Sequence, residues 1–460
     1  MFFFIKDFIK GELGKMLGTM NRIVNLFIYI ASEEAVELGR IYEGAFTRDS
    51  PLNFQNMILI HLNNHGLSLY MEIRNFFKKI KEISVTKQAF SQSRDKLNPH
   101  VFKNLKDYHL KEFYGSDEVK TMKNHLILSG DGSKCTLPYK KSLLSFFGGI
   151  KNKFLKITSV AVNSTALYDC LNKYLIDLEI DEYETSEKEL MNRNMENLWD
   201  LKYLKDKPRI LIYDRGFPSL EFFTKLIEKN EKFLFRVKKT SYKNEKSKMK
   251  TNDEFIDINI TKSRVNHIKN QEIKEKLLKI GKINLRVTKI VLPSGEEEHL
   301  ISNLDKKTFI YTDLNELYDL RWGIEVSFDV LKNSLYIENI SGYKEITVYQ
   351  DFLSQMLAYN IITDMENSAQ KLLDERERKN NNERAKNPRK KINKNTAIGI
   401  FKEEIVEITR LPDENQQRKK LKIFIEEISR QYTQKSTKKS PRKPKKAYPT
   451  KNRSNNRRSF

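Results

Sequence analysis

The pattern of apolar and polar positions predicts helices towards both ends of the chain and short buried strands between them. Apolar residues recur every three or four positions near the N-terminus, over residues 52–97 and again from residue 348 onwards, which is the period of a helix. In the middle, short apolar runs bounded by turn residues are typical of strands. We therefore predict an α/β protein with helical N-terminal and C-terminal regions.

One amphipathic helix is predicted over residues 318–332, YDLRWGIEVSFDVLK. At about 100° per residue, Tyr318, Arg321, Glu325 and Lys332 fall on one face that borders the apolar stripe. A carboxylate at that border is held rigidly and still reaches a substrate. The alternative is a solvated face with an ion pair between Arg321 and Glu325.

Two aspartates follow apolar runs that predict buried strands. Asp131 follows HLILSG and Asp214 follows RILIY, and each is succeeded within two residues by a glycine. An acid just past a buried strand points into the crevice outside the sheet, although an ordinary turn aspartate looks the same locally. With Glu325 they form a set of carboxylates of the kind that Mg²⁺ prefers.

Three helices are predicted before the first strand, over 54–64, 68–79 and 86–97, in an arrangement that resembles a helix-turn-helix. The third helix is predicted to bury Phe90 and Leu97. It is predicted to direct four side chains outward that reach bases or phosphates, namely Lys87, Gln92, Arg94 and Lys96. An ordinary small helical bundle is the alternative reading of this region.

Further strands are predicted at 154–162, 166–172 and 174–180, with a turn at Asn163–Ser164, and at 232–239, where Arg236 and Lys238 lie. A β-rich insertion follows, with strands at 255–260, 282–292 and 299–304 and a turn at Ser294–Gly295. Helices are predicted at 186–204, 220–229, 348–367, 397–409 and 414–430, and a charged loop at 374–395.

Charge and cysteine content narrow the function classes. The net charge is +23, and residues 435–460 hold seven Lys and four Arg without an acid. A polyanion is the expected partner, and the tail is predicted to be disordered and to attract nucleic acid, or merely to keep the protein soluble. Two cysteines without clustered histidines predict neither a disulfide framework nor a zinc site. The apolar segments are too short or too charged to span a bilayer, so a soluble cytoplasmic protein is expected.

The motifs DGSKCTLP at Asp131 and DRGFPS at Asp214 precede Tyr318, Arg321, Glu325 and Lys332 at spacings of three, four and seven. Together they resemble the DDE transposases of bacterial insertion sequences, in the branch with the Tyr-Arg-Glu-Lys signature. The segments FSQSRDKL and LYDCLNKYLIDLEI are also similar to that family. The resemblance runs in consistent order from about residue 50 to 365.

The resemblance implies a ribonuclease-H-like catalytic core in which Asp131, Asp214 and Glu325 are catalytic and hold two Mg²⁺ ions, replaceable by Mn²⁺. It implies cleavage at the ends of the element and strand transfer to target DNA. The implied partners are double-stranded DNA, both the terminal inverted repeats and the target, and a second copy of the chain in a synaptic homodimer. The implied location is the nucleoid, without a membrane. The expected DNA contacts are Tyr318, Arg321, Trp322, Lys332, Lys87, Gln92, Arg94, Arg236 and Lys238.

The expected organisation has six parts: an N-terminal helical DNA-binding region (1–112), the first part of the catalytic core (113–239), the insertion (240–305), the second part of the core with the signature helix (306–372), a C-terminal helical region (373–434) and the basic tail (435–460).

Some expectations remain open at this stage. Relatives that form a DNA hairpin can hold a flipped base against a tryptophan of the insertion, but here only Trp199 and Trp322 occur, so Phe309 or Tyr311 would have to stack instead. The alternative functions are a magnesium nuclease of the same fold without strand transfer and a catalytically retired DNA-binding protein.

Overall fold

The computed structural model describes the backbone of residues 2–291, 295–380 and 390–434, with side chains from Met16 onwards. The basic tail predicted at 435–460 lies outside these ranges, as does Ser294 of the predicted turn. No helix within the described ranges is both long enough and apolar enough to cross a membrane.

Nine strands of the described chain form one mixed sheet in the order β2-β3-β1-β5-β6-β9-β8-β7, and β4 also pairs with β3. β1 and β6 both run parallel to β5 between them, and the other pairings are antiparallel. The strands are β1 Leu126–Leu137, β2 Gly149–Lys151, β3 Ile157–Asp169, β4 Leu175–Glu182, β5 Arg209–Tyr213, β6 Lys232–Val237, β7 Asp253–Asn259, β8 Lys282–Val291 and β9 Glu297–Ser302. A separate small pair consists of β10 Lys390–Ile392 and β11 Tyr432–Gln434.

Helices precede, cover and follow this sheet. They are α1 Phe2–Ile30, α2 Glu33–Gly39, α3 Phe54–Leu62, α4 Leu69–Lys79, α5 Lys87–Arg94, α6 Val101–Tyr114, α7 Lys141–Phe147, α8 Glu187–Asp200, α9 Leu220–Glu228, α10 Lys243–Lys246, α11 Lys262–Val265, α12 Gln271–Ile280, α13 Tyr311–Leu320, α14 Trp322–Asn333, α15 Glu345–Asn380, α16 Lys394–Thr409 and α17 Glu414–Arg430. The predicted α/β class is confirmed. The three helices predicted over residues 54–97 are present as α3, α4 and α5, and α1, α2 and α6 also precede the first strand.

Side-chain caps explain where several helices begin. Thr86 accepts a hydrogen bond from the backbone N–H of Ala89, and Ser186 accepts one from Glu189. Ser68 occupies the corresponding position before α4 without such a bond. A hydroxyl at this position satisfies an N–H that the first helical turn leaves unpaired.

Both faces of the sheet are covered. On one face, apolar residues of α8 and α9 and of the insertion pack against alternate residues of β1, β5 and β6. On the other face, α13, α14 and α15 pack against the sheet, and α15 joins it to the N-terminal and C-terminal helices in a single core. The inner strands β1, β5 and β6 are buried for this reason, which matches their continuous apolar runs.

The turn predicted at Asn163–Ser164 is wrong, because both residues lie inside the long strand β3. Each is buried, and each side chain donates one hydrogen bond to a backbone carbonyl. The Asn163 amide donates to the Thr185 carbonyl at 2.8 Å, and the Ser164 hydroxyl donates to the Ser133 carbonyl at 2.5 Å. Tertiary partners therefore allow turn-forming residues in the middle of a strand.

The signature segment is not one helix, as predicted, but two. α13 ends at Leu320 and α14 begins at Trp322, with Arg321 between them. The backbone N–H of Arg321 bonds to the Tyr318 carbonyl and that of Ile324 to the Arg321 carbonyl, so the chain tightens to three-residue hydrogen bonds here. A helical wheel over the whole segment is therefore only approximate.

The loop predicted at 374–395 is also wrong over its first part. α15 runs on to Asn380 and only residues 381–389 lie outside the described ranges. The charged residues that suggested a loop lie on a helix whose Leu372 and Leu373 are still in the core. Packing of one apolar face outweighs the polar composition of the rest.

The N-terminal helix is tied to α15 by a buried ion pair. The Arg22 guanidinium donates to both carboxylate oxygens of Asp364, at 2.8 and 2.7 Å, and the Thr19 hydroxyl donates to the same group at 2.8 Å. Burial alone would raise the pKa of Asp364, but the charge and hydrogen bonds of Arg22 hold that pKa well below its usual range.

This pair makes stability depend on pH at the acid end. An acid with a depressed pKa in the folded state contributes stability above its unfolded pKa, near 4, and loses it as the pH falls further. We expect Asp364 to account for a loss of about 2 kcal/mol between about pH 4 and pH 2. Urea unfolding at several pH values should show a shallower acid slope for Asp364→Asn. Parallel slopes for the two proteins would contradict this account.

Candidate active site

The two predicted aspartates lie side by side because their strands are parallel and in register. β1 pairs with β5 from Leu126 opposite Arg209 to Gly130 opposite Tyr213. Asp131 and Asp214 are the next residues on each strand, and neighbouring strands lie about 4.8 Å apart. The sequence predicted that β1 ends before Asp131. Instead β1 continues to Leu137 in antiparallel pairing with β3. Asp131 is therefore held inside a strand at the level where β5 ends.

A third strand brings an arginine to the same level. β6 pairs with β5 so that Phe235 lies opposite Tyr213, which places Arg236 beside Asp214. The Arg236 guanidinium donates to the two carboxylate oxygens of Asp214 at 2.7 and 3.1 Å, and to Glu298 on β9 at 2.5 Å. Arg236, expected to contact DNA, is thus a partner of Asp214.

Arg321 connects the other two acids. Its guanidinium lies 2.6 Å from an oxygen of Glu325 and 3.4 Å from an oxygen of Asp131. The side chain is 6% exposed, and its Nε has no hydrogen-bond partner among the described residues. The predicted Arg321–Glu325 pair is therefore not a solvated surface pair, because it is half of a bridge between the sheet and α14.

Two glycines permit this close arrangement. A Cβ at Gly130 would stand 2.2 Å from the ring of Tyr213, and a Cβ at Gly323 would stand 2.7 Å from the ring of Tyr168. Any side chain at Gly323 would push the first turn of α14 away from β3. The glycine thus keeps Glu325 close to the strand that carries Asp131.

The remaining signature residues also contact the sheet. The Tyr318 hydroxyl donates to Asp214 at 3.2 Å, and guanidinium groups of Arg236 and Arg321 each lie 5.6 Å from the centre of its ring. The Lys332 ammonium donates to the backbone carbonyl of Lys134 at 2.7 Å, three residues beyond Asp131. Trp322 lies at the start of α14 and is 45% exposed.

The two aspartates have opposite pKa shifts. Burial raises the pKa of Asp131 to about 6, and the nearby charges of Glu325 and Asp214 act in the same direction. Burial would also raise the pKa of Asp214, but hydrogen bonds from Arg236 and from the N–H of Arg215 hold that pKa below its usual value. Unlike environments for paired acids are typical of functional sites, although structural ion pairs also produce them.

The donor set fits a hard divalent cation in its chemistry. Asp131 and Asp214 lie on adjacent strands, and the guanidinium of Arg321 supplies positive charge between Asp131 and Glu325. As the side chains stand, no group of three or more His, Cys, Asp or Glu residues in the described ranges is arranged to hold a metal ion. Arg321 and Arg236 contact oxygens of these carboxylates, and each carboxylate has further lone pairs for a cation.

The prediction that Arg94 faces outward to contact DNA is wrong. Its side chain is 2% exposed and lies against α15. The guanidinium donates to Gln350 at 2.5 Å, Asp351 at 2.6 Å and the Thr347 carbonyl at 2.8 Å. An arginine on a short helix looks solvent-facing from its spacing, but here the N-terminus of α15 supplies buried acceptors. It is a structural residue.

Lys87 and Gln92 lie on the exposed side of α5, as predicted. They line a cleft of about 730 Å³ with Tyr70 and with Lys344, which immediately precedes α15. Lys238 is exposed just beyond the end of β6. Lys238 lines a cavity together with Arg215 and Arg236, two residues that contact Asp214.

The aromatic residues suggested for base stacking are placed differently. Phe309 is 2% exposed and belongs to the core under α13, so it has no face for a base. Tyr311 is 38% exposed, and its hydroxyl donates to the Lys289 carbonyl at 2.7 Å.

Glu298 and the Arg215 backbone N–H were not foreseen from the sequence. Glu298 comes from the insertion, whose strands β7 to β9 extend the central sheet through the pairing of β6 with β9. A signal was nonetheless present. Each of three apolar runs is followed by one charged residue, Asp131, Asp214 or Arg236, as expected if these three positions lie at one level of the sheet.

Two comparisons with known proteins found similarity to transposases. The family described as transposase DDE domain matches residues 158–361, a range that includes Asp214 and Glu325 and begins after Asp131. No curated protein sequence matches the chain. A solved structure described as a piggyBac transposase synaptic complex with hairpin DNA is similar at 10% identity and a TM-score of 0.42, covering 89% of this chain and 84% of that one. Transposases with a DDE domain generally use divalent metal ions. The family match supports a DDE transposase, an enzyme that cleaves DNA.

Proposed function

We propose that the chain is a DDE transposase of the Tyr-Arg-Glu-Lys branch, built on a ribonuclease-H-like core, which cuts the ends of an insertion sequence and joins them to target DNA. The observation that carries this proposal is the register of β1, β5 and β6 together with the contacts of Arg321 at the start of α14. Strand register sets Asp131 beside Asp214, and Arg321 joins Asp131 to Glu325, although the three acids are far apart in sequence. The family match supports the class of enzyme.

The carboxylates of Asp131, Asp214 and Glu325 are the residues that would hold two Mg²⁺ ions. When bound, such ions activate the attacking oxygen and stabilise the leaving oxygen in displacement at a phosphodiester. At neutral pH Asp131 and Asp214 are anionic, because the raised pKa of Asp131 is about 6 and the pKa of Asp214 is below its usual value. Their charge is what the site offers to the cations.

The basic residues then have a second use. The Nε of Arg321 has no hydrogen-bond partner among the described residues, and its planar guanidinium would bind a phosphate through two hydrogen bonds. Lys332 lies on the same side, beside β1, and supplies a point charge. Tyr318 orients Asp214 through its hydroxyl and keeps the two arginines apart with its ring. Trp322 presents an exposed ring next to Arg321, suited to stacking on a base.

Recognition of the ends is assigned to a different surface. On α5, Lys87 offers an ammonium and Gln92 an amide to DNA. Lys238 adds a phosphate contact near Asp214. A homodimer that holds two ends together is part of the proposal, as is action on DNA in the cytoplasm. The basic residues 435–460 would add sequence-independent attraction.

The experiment that tests the proposal is incubation of the purified protein with labelled DNA that carries the sequences flanking its gene, in magnesium and in chelator. We expect metal-dependent nicks at one fixed position, followed by joining to a target plasmid. A nick without joining would favour the nuclease, and binding without any cut would favour the retired DNA-binding protein.

The control variant is Asp214→Asn, which keeps the shape of the side chain and removes its charge. It should bind the same DNA without nicking it. Cleavage at the normal rate by this variant would contradict the assignment of the site.

A further inference from the structure

An exposed apolar tip joins β2 to β3, well away from the carboxylates. Phe154 is 69% exposed and Leu155 is 80% exposed, and they are adjacent. Scattered apolar residues on a surface are normal, but two large neighbours at the end of a hairpin present a continuous apolar point. An exposed apolar pair of this kind is typical of a surface that binds a partner.

Hydrogen bonds hold the backbone of this tip in one turn. The Asn152 side chain accepts hydrogen bonds from the backbone N–H groups of Phe154, at 2.9 Å, and Lys156, at 3.1 Å. Backbone bonds of 2.9 Å also join Asn152 to Leu155 and to Lys156. These bonds define the backbone of the turn that carries both apolar residues.

Leu155 holds a backbone conformation that does not suit it. Its φ is +59°, in the left-handed region that glycine or asparagine adopts more easily. A turn selected only for its shape would carry one of those residues. The chain instead keeps a leucine there and exposes it, and a break of a local rule of this kind is typical of functional positions.

The charge around the tip indicates the partner. Residues 139–168 contain five lysines and no acid. Lys151, Lys153 and Lys156 surround the tip, the ammonium of Lys153 lies 4.9 Å from the centre of the Phe154 ring, and Lys151 is paired with Glu184 on the neighbouring segment. An apolar point ringed by ammonium groups is complementary to duplex DNA, where a wedge enters between base pairs while the charges meet phosphates on either side.

We propose that Phe154 and Leu155 form a wedge that inserts between base pairs of the bound DNA and bends it, an inference that rests on the proposed function. The strand register sets its distance from the chemistry. Asp131 lies opposite Ala166, and β3 begins nine residues earlier at Ile157, about 30 Å along the strand, with Leu155 in the turn just before it. A duplex running beside this strand meets the wedge about ten base pairs from the cut.

The test is permanganate oxidation of thymines in DNA bound by the full chain in chelator, which reports unstacked bases without cleavage. The probe is the DNA flanking the gene, cut in a parallel reaction with magnesium. We expect hyperreactive thymines about ten base pairs from the nick, which disappear in Phe154→Ala and in Leu155→Ala. Loss of a stacked aromatic should weaken binding about tenfold. Both side chains are exposed, so the variants should unfold at the same temperature as the wild type.

Ile83→Ala is the matched control, because Ile83 is 91% exposed on another loop. It should leave the hyperreactivity unchanged. Hyperreactivity that persists in Phe154→Ala overturns the wedge, and so does binding to vesicles of phosphatidylcholine and phosphatidylserine that depends on Phe154 while the DNA stays undistorted. Cleavage without Phe154-dependent distortion overturns the wedge alone. Distortion that depends on Phe154 without any cleavage in magnesium retains the wedge and overturns the transposase.

Discussion

Replacing Glu325 by glutamine is expected to lower the rate of DNA cleavage by at least about 10³-fold while leaving DNA binding nearly unchanged. Glutamine has the same shape and still accepts a hydrogen bond from Arg321, which lies 2.6 Å from the native carboxylate. The bridge between the sheet and α14 should therefore survive. What disappears is one of three negative charges that would hold the metal ions, and a neutral amide is a much weaker ligand for a hard cation.

The measurement pairs single-turnover cleavage with an electrophoretic binding assay on the same labelled DNA. Asp329→Asn is the matched control, because Asp329 lies on the same helix one turn further on and is exposed. It should cut at the normal rate. Equal loss of binding and cleavage in Glu325→Gln, with a lowered unfolding temperature, would make Glu325 a structural residue.

Replacing Arg94 by alanine is expected to destabilise the protein by about 3–5 kcal/mol. The guanidinium is buried against the start of α15, where it satisfies Gln350, Asp351 and the Thr347 carbonyl at once. Its removal leaves the carboxylate of Asp351, itself 4% exposed, without its cation. A buried charge that loses its partner costs far more than the loss of a surface ion pair.

Urea unfolding followed by circular dichroism measures this effect, and Lys87→Ala provides the comparison because Lys87 is exposed on the same helix. That control should unfold close to the wild type. If Arg94→Ala instead keeps full stability and loses only its affinity for DNA, the arginine faces the nucleic acid and the packing of α5 on α15 is not as described.

Local pattern was a good guide wherever a segment has one dominant interaction. The apolar runs before Asp131, Asp214 and Arg236 predicted three strands, and all three are present. The prediction failed where partners distant in sequence decide the outcome. Asn163 and Ser164 were predicted to form a turn. In the structure they lie inside β3, where their side chains donate to the carbonyls of Thr185 and Ser133.

Arg94 and Arg236 show the same limit for function. Both are basic residues that suggested DNA contacts, and nothing in the neighbouring sequence distinguishes them from Lys87 or Lys238. Arg94 is buried by α15, more than 250 positions away in sequence, and Arg236 is paired with Asp214 through strand register. An arginine pairs with whichever acceptors the fold brings to it, and side-chain spacing carries no information about them.

The sequence by itself determined the α/β class, the carboxylates that carry the proposed chemistry and the two residues, Tyr318 and Arg321, that accompany them. It did so because buried strands, helices and charged residues each leave a short-range pattern. Only the tertiary structure decided that Asp131, Asp214 and Arg236 stand at one level of the sheet, that the signature segment breaks at Arg321 and that this arginine lies between Asp131 and Glu325. Those features depend on pairings across the sheet and on the packing of α14 against it, which are long-range contacts that no local pattern encodes.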